Sequence, residues 1–304
     1  MSDGEFLLSP NSLWTRTLEQ TQFALDCGAL EPIPTEFEYL QQGEIRFLVR
    51  ILANIDRKAK AKAAETRQTQ ETGKPFNPFL PYDKNLFVAN LSASHVCLLN
   101  KFNVVDHHLL MVTREFEHQN TWLTVADFAA LQIGLREIDG LGFYNGGTEA
   151  GASQPHKHLQ LVPLPLMPDG DRLPIEGAIA QTEYVGTGLD KIGRSPEFPF
   201  NHAIAPISLN RSPEELQQQY YRLLNAVGLI EGTPKTETQT GAYNLLATRD
   251  WLMVVRRTQE GCAGISLNAL GFAGALLVRN LEQLEQLKTL TPLALLANVA
   301  PVEG

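Results

Sequence analysis

Apolar residues follow two periods along this chain, and the switches between them mark out its elements. Ile45, Phe47, Val49 and Ile51 alternate with polar neighbours, which predicts a half-buried strand over residues 44–51. Three short apolar runs, 86–89, 96–99 and 109–112, are each bounded by polar or turn residues, as strands of an antiparallel sheet are. Elsewhere a helical spacing takes over. Trp14, Leu18 and Leu25 share one face of a helix that Ser12 can cap and Gly28 stops. A second helix starts at Thr124-Val125-Ala126-Asp127, buries Phe128, Leu131, Leu135 and Ile138, and ends at Gly140. The third starts at Ser212-Pro213-Glu214-Glu215, with Leu216, Tyr220, Leu223 and Val227 as its stripe. Residues 141–144 and 158–162 read as two strands joined by a glycine-rich turn, and 242–247 with 251–255 as a hairpin. No internal repeat or low-complexity tract is visible. Pro163, Pro165, Pro168 and Asp169-Gly170 predict a division into 1–168 and 169–304.

Composition narrows the class. The 304 residues are 43% hydrophobic and 19% charged, those of a soluble globular protein. No apolar run reaches the ~18 residues of a membrane span. The acidic Met1–Glu5 segment lacks the pattern of a secretory signal, and three scattered cysteines fit a reducing compartment, so a cytoplasmic location is expected. A net charge of −9 argues against a nucleic-acid partner, although local donors can still hold a small anion. Residues 56–70, with Lys58, Lys60, Lys62 and Arg67, read as a mobile basic loop of solvated charges.

The chemistry gathers in Gly151–Gln160, GASQPHKHLQ. On a strand, His156, His158 and Gln160 project to one side, and Lys157, Leu159 and Leu161 to the other. Such a row serves as a metal site, as a histidine nucleophile, or as hydrogen-bonded structure alone. The metal reading needs further ligands, which only a fold contact with His95, His107 or His108 would supply. The nucleophile reading explains more: a neutral imidazole attacks phosphorus and passes the group on, while amides of the glycine-rich turn hold phosphate oxygens. His158 is then expected to face a solvent-filled cleft.

Four segments carry a resemblance: YNGGTEAGASQPHKHLQ (144–160), LLNKFNVVDHHLLMVTREFEHQ (98–119), AYNLLATRDWLMVVRR (242–257) and SLNALGFAGALLVRN (266–280). Together they resemble the diadenosine tetraphosphate (Ap4A) phosphorylases, the ATP adenylyltransferase branch of the histidine-triad superfamily. The resemblance implies an α+β fold of histidine-triad type, an antiparallel sheet with flanking helices in two linked parts. It implies a nucleotidyltransferase that phosphorolyses Ap4A to ATP and ADP through an AMP-histidine intermediate. By the same resemblance His158 is the nucleophile, His156 orients the site, and Gln160 stands where histidine-triad hydrolases carry a third histidine. Asn100, Lys101 and Asn145 are implied ligand contacts, and Gly151, Ala152, Ser153 and Gln154 form the phosphate-contacting turn. Asn268, Ala269 and Leu270 match a nucleotide-contacting stretch, and Lys58 the lysine before the first proline-rich loop. Two positions depart from the fungal pattern, with Ala275 for a methionine and Arg279 for a lysine. A divalent cation, Mg2+ in the first instance, is implied on the nucleotide, with no protein metal site and no organic cofactor. The substrates are Ap4A, ATP, ADP and phosphate, and the chain is expected to be a monomer without nucleic-acid or membrane partners.

Two rivals stay open at this stage. A hexose-1-phosphate uridylyltransferase shares the short motif, and a non-catalytic sensor of dinucleoside polyphosphates shares the ligand. Plain structural roles also stand beside the functional ones. Asn145 before Gly146-Gly147 suits a tight turn, Lys101 and Arg279 suit a solvated surface, and Arg256-Arg257 suits an edge-strand guard.

Overall fold

The computed structural model describes residues 8–52 and 77–302; the basic loop and Lys58 lie outside them. The first half runs from α1 (Leu13–Asp26) through the hairpin β1 (Thr35–Gln42) and β2 (Ile45–Leu52) to β3 (Phe87–Asn90), β4 (His95–Leu99) and β5 (Leu109–Thr113). Then come α2 (Val125–Glu137), β6 (Gly140–Gly146) and β7 (His158–Pro163). The second half repeats the succession with β8 (Glu183–Val185), β9 (Ile192–Arg194), β10 (His202–Pro206), α3 (Pro213–Ala226), β11 (Tyr243–Ala247) and β12 (Trp251–Arg256). It closes with α4 (Ala269–Phe272), β13 (Ala275–Val278), α5 (Leu281–Leu290) and α6 (Pro292–Val299).

Strands β3 to β12 form one antiparallel sheet, in the order β3-β4-β5-β7-β6-β11-β12-β10-β9-β8. That order reads as the same motif from either end: three strands, a helix, then two strands that turn back inward. The topology therefore contains a repeat that the sequence does not display. The halves meet at β6 and β11, where Tyr243 pairs with Gly146 and Ala247 with Gly142.

Alternation along the strands sends two sets of side chains to two cores. On one face Met111, Leu159, Leu161, Leu245 and Val254 meet Leu13, Phe128, Leu131, Tyr220 and Leu223 of α1, α2 and α3. On the other, Leu141, Phe143, Val162, Leu246 and Met253 meet Phe47, Val49, Phe272, Leu276 and Leu296, from β2, β13 and the last helices. Each such buried side chain contributes roughly 1.5–3 kcal/mol. A small third cluster of Phe79, Val96, Leu98, Leu110 and Val112 covers the β4–β5 end of that second face. The row of residues 156–160 lies on the second face, at the β7 position between these clusters.

Several local expectations are corrected. Helix α1 buries Leu13, Thr17 and Ala24, whereas Trp14, Leu18 and Leu25 remain 37–42% exposed. Thr17 and Ala24 are small enough to bring the helix close to the sheet, and the Thr17 hydroxyl is satisfied by Leu13 O at 2.8 Å. Ser12 does not cap this helix; its hydroxyl donates to Ser9 O. The cap comes from the end of α2, where the Glu137 carboxylate accepts from the Asn11 and Leu13 amides at 2.8 and 3.2 Å. Gly140 starts β6 instead of ending α2. A Cβ there would stand 2.7 Å from both the Leu161 side chain and Val162 O. The capping box at Thr124/Asp127 forms as predicted, and the helix start predicted at Ser212 also proves to carry a capping box, with Glu215.

Candidate active site

The alternation predicted for 156–160 holds. Leu159 and Leu161 enter the helix-side core, and Lys157 goes with them, donating to Asp127, Glu117 and Trp122 O at 2.9, 2.9 and 3.1 Å. His156 and His158 face the other way, against Phe79, whose ring centroid lies 5.6 and 5.3 Å from theirs. That ring covers the row. His158 is only 5% exposed, so the expected solvent-filled cleft is replaced by a covered pocket.

The two imidazoles differ in what their nitrogens do. His158 Nδ1–H donates to the His156 carbonyl at 2.8 Å, which leaves the lone pair on Nε2. Nε2 has no hydrogen-bond partner among the described residues. In His156 both nitrogens are engaged: Nε2–H donates to Thr113 O at 2.8 Å, and Nδ1 accepts from Asn77 Nδ2 at 3.1 Å. Burial pushes His158 down to about 4, against the partial opposition of its bond to the His156 carbonyl. His156 is lowered too, again by burial. At neutral pH the row therefore offers one uncharged imidazole with one unspent nitrogen, on His158.

This burial has a consequence for stability. His108 and His202 are also pushed down to about 4 by burial. Between the ordinary value of 6.5 and about 4, the unfolded chain binds protons at these three positions that the folded chain refuses. Stability is thus fully present above 6.5 and is lost as pH falls through that window. Each histidine contributes up to about 1.4 kcal/mol per pH unit there. The thermal midpoint, followed by circular dichroism, should fall by several degrees between pH 7 and pH 5. A flat midpoint would mean that the three rings are not buried neutral.

Gln119 sets the backbone at His158. Strands β6 and β7 pair as far as Phe143 and Gln160, and beyond that point the Gln119 side chain bridges them. Its Oε1 accepts from the His158 amide at 2.9 Å, and its Nε2 donates to Asn145 O at 2.9 Å. Its own amide donates to Pro155 O at 2.7 Å. The carboxamide thus takes the place of missing ladder bonds, and is 1% exposed.

The glycine-rich turn needs its glycines. Gly147 and Gly151 have φ of +100° and +88°, and a Cβ on Gly151 would meet Leu267 O at 2.5 Å. The amides of Gly151 and Ala152 close the turn on Thr148 O and Gly147 O. Those of Ser153 and Gln154 make no backbone bond among the described residues. Asn145 joins the turn to the second half: its Oδ1 accepts from Asn244 Nδ2 at 2.8 Å and from the Ala269 amide at 3.0 Å. Asn244 also donates to Ala150 O at 2.8 Å and accepts from Arg257 at 2.6 Å.

Arg257 is therefore no edge guard. Strand β12 is interior, between β11 and β10, and the Arg257 guanidinium is buried on Asn244, Gln259 O, Glu260 O and Leu267 O. Burial lowers it to about 10.

The structure thus joins His156, His158, Gln160, Asn145, the turn and Ala269. Asn268 caps α4 by accepting from the Leu270 amide at 3.0 Å. Asn100 reaches the row through His108: Asn100 Nδ2 donates to His108 Nδ1 at 3.1 Å, and His108 Nε2–H to Gln160 Oε1 at 2.9 Å. Other predicted residues lie apart. Lys101 is half-exposed and pairs with Glu31 at 3.3 Å. Ala275 pairs with Leu48 at the start of β13, and Arg279 is exposed at its end, its guanidinium in no ion pair among the described residues. Of the histidines considered as extra ligands, His95 is on the helix side with Asp127, and His107 is against Trp14 and Thr21. Asn77, Phe79, Gln119, Asn244 and Arg257 were not singled out as site residues. His108 and Gln119 lie within the resembling segment 98–119, the signal that pointed to that region.

The Ap4A phosphorylase N-terminal domain family matches residues 3–181, and the ATP adenylyltransferase C-terminal domain family matches residues 196–301. This chain belongs to the Ap4A phosphorylase family. Among curated relatives, the diadenosine 5',5'''-P1,P4-tetraphosphate phosphorylase 2 of Saccharomyces cerevisiae is 30% identical over 233 residues, 69% of this chain and 70% of the relative. Protein APA1 of the same yeast is 28% identical over 204 residues, 61% of each chain. The solved yeast Ap4A phosphorylase Apa2 in complex with Ap4A superposes with a TM-score of 0.77 at 24% identity, covering 97% of this chain and 99% of that one. Its complex with AMP gives 0.76 at 23%, covering 98% and 99%. The α+β architecture, a large antiparallel sheet with flanking helices, is thereby the fold this chain shares with Apa2. Among the described residues no helix is long and apolar enough to cross a membrane.

Proposed function

We infer that this chain phosphorolyses Ap4A to ATP and ADP by two displacements at His158. One observation carries the reading: His158 is neutral, and its Nε2 is the imidazole nitrogen of the row with no hydrogen-bond partner among the described residues. In the first step Nε2 attacks the α-phosphorus of Ap4A. The N–P bond forms, the P–O bond to the leaving polyphosphate breaks, and ATP departs. In the second, an oxygen of inorganic phosphate attacks the same phosphorus, the N–P bond breaks, and ADP leaves. A polyphosphate leaving group is a weak base, so positioning and charge stabilisation matter more than acid catalysis. Gln160 donates to a phosphate oxygen of the adduct; a carboxamide has no pKa near neutrality and cannot activate water. Phosphate arrives ionised and needs no such base, which favours a phosphorylase over a hydrolase.

His156 orients the site. The amides of Ser153 and Gln154 are the open donors of the turn, whose other members Gly151 and Ala152 shape it. Asn145, Asn268, Ala269, Leu270 and Asn100 line the nucleotide nearest the row, Ala275 contacts it farther out, and Lys58, Lys101 and Arg279 supply charge. A divalent cation, Mg2+ in the first instance, travels on the polyphosphate, and no organic cofactor takes part. The N-terminal part, 1–168, contributes the row, and the C-terminal part, 169–304, the braces on Asn145. We further propose a cytoplasmic monomer with no nucleic-acid or membrane partner.

Chromatography of the products tests the reading. With Ap4A, Mg2+ and phosphate, ATP and ADP should appear in equal amounts. Two ADP, or AMP with ATP, would overturn it, and transfer from a UDP-hexose without action on Ap4A would favour a uridylyltransferase.

A further inference from the structure

We propose that His108 is a positioning residue for the transfer step: its Nε2–H holds Gln160 Oε1, so that the Gln160 amide presents its N–H groups to the phosphate on His158. The inference rests on the phosphorylase reading and deepens it. A neutral imidazole carries one ring proton. Asn100 Nδ2 donates to His108 Nδ1 at 3.1 Å, so the proton must be on Nε2, which donates to Gln160 Oε1 at 2.9 Å. Asn100 sets the tautomer, the tautomer sets the amide, and the amide shows its donor end to the pocket.

Packing holds the middle of this chain of bonds in place. His108 and Gln160 are both buried. The His108 carbonyl accepts from the Asn100 amide at 2.8 Å. Its ring stands 5.7 Å from that of Phe143, and the next residues, Leu109 and Leu110, pair with Leu161 and Gln160 in the sheet. Without His108 the Gln160 carboxamide is free to rotate by half a turn. Its oxygen would then face the equatorial oxygens of the phosphorus, replacing a donor by a lone pair against an anion. A neutral ring at this position adds no charge of its own, so its effect is one of orientation.

A double-mutant cycle on adduct formation tests the idea. Ap4A labelled in its α-phosphate is mixed with excess enzyme in the absence of phosphate, and the rate of label appearing on the protein is read. Gln160→Ala should slow labelling about 100-fold, the order for losing one donor to a developing oxyanion. His108→Ala should slow it by roughly tenfold or more, as loss of an outer-shell partner does. The double variant should match Gln160→Ala within about twofold, because His108 acts through a group already gone. If the losses multiply, or if His108→Ala labels at the wild-type rate, the proposal is wrong. Should His108→Ala not fold, His108→Phe takes its place in the cycle. A phenyl ring keeps the shape but has no N–H for Gln160 Oε1, and its penalty should likewise vanish beside Gln160→Ala. A wild-type protein that takes no label at all would overturn the phosphorylase reading, a result distinct from an additive cycle.

Discussion

Replacing His158 by alanine should abolish both turnover and labelling of the protein by Ap4A, a loss on the order of 10⁴-fold or more, as when a covalent nucleophile is deleted. No other nitrogen of the row can take over. His156 spends both of its own on Thr113 and Asn77, and His108 spends both on Asn100 and Gln160. The fold should survive with a cost of about 1–2 kcal/mol, since the side chain is packed beneath Phe79. Circular dichroism and a urea titration would establish that. His156→Ala should be milder and keep the adduct, because that ring orients and does not bond to phosphorus. The reverse result, with the adduct lost in His156→Ala and kept in His158→Ala, would reassign the nucleophile.

Lys157→Met should lower the unfolding free energy by about 3–5 kcal/mol, the cost of removing one partner from a buried ion pair. The Lys157 ammonium is fully buried and makes three hydrogen bonds. Its main partner, Asp127, is also bound by His95 at 3.0 Å and caps α2. Burial alone would raise the Asp127 carboxyl, but the His95 bond and the Lys157 charge outweigh it and bring it down to about 2. Removing the ammonium leaves that carboxylate in the core with less compensation. Glu117, on the other side, is half-exposed and finds water. The urea midpoint at neutral pH reads the loss, and a change below about 1 kcal/mol would show that the pair is no stronger than a surface one. Adding Asp127→Asn to Lys157→Met should recover part of the stability, because the stranded charge is then removed.

Although β1, β8, β9, β10 and β13 were not legible in it, local order in the chain was enough for eight strands, for two of the three predicted helices' buried stripes, and for the direction of His156, His158 and Gln160. These depend on periods of two and 3.6 residues, which neighbouring side chains enforce whatever surrounds them. The resembling segments also told where the chemistry lies. Pattern alone misread α1, because its apolar residues are divided between two faces, and only the sheet decides which face it meets. It misread Arg257 for a related reason: a charge after a strand suggests an edge, but β10 pairs on the far side of β12.

What tertiary structure alone decided is the state of the reactive groups. Lys157 was sent to the correct side by alternation, but its burial depends on Asp127, thirty residues earlier on α2. The tautomer of His108 depends on Asn100 and its task on Gln160, eight and fifty-two residues away. Gln119 reaches across a gap between strands that pairing rules would have closed. Periodicity determines which way a side chain points, since that is a property of the backbone over a few residues. Protonation and hydrogen-bond direction depend on which distant groups fill the space it points into, and that is set only when the chain has folded.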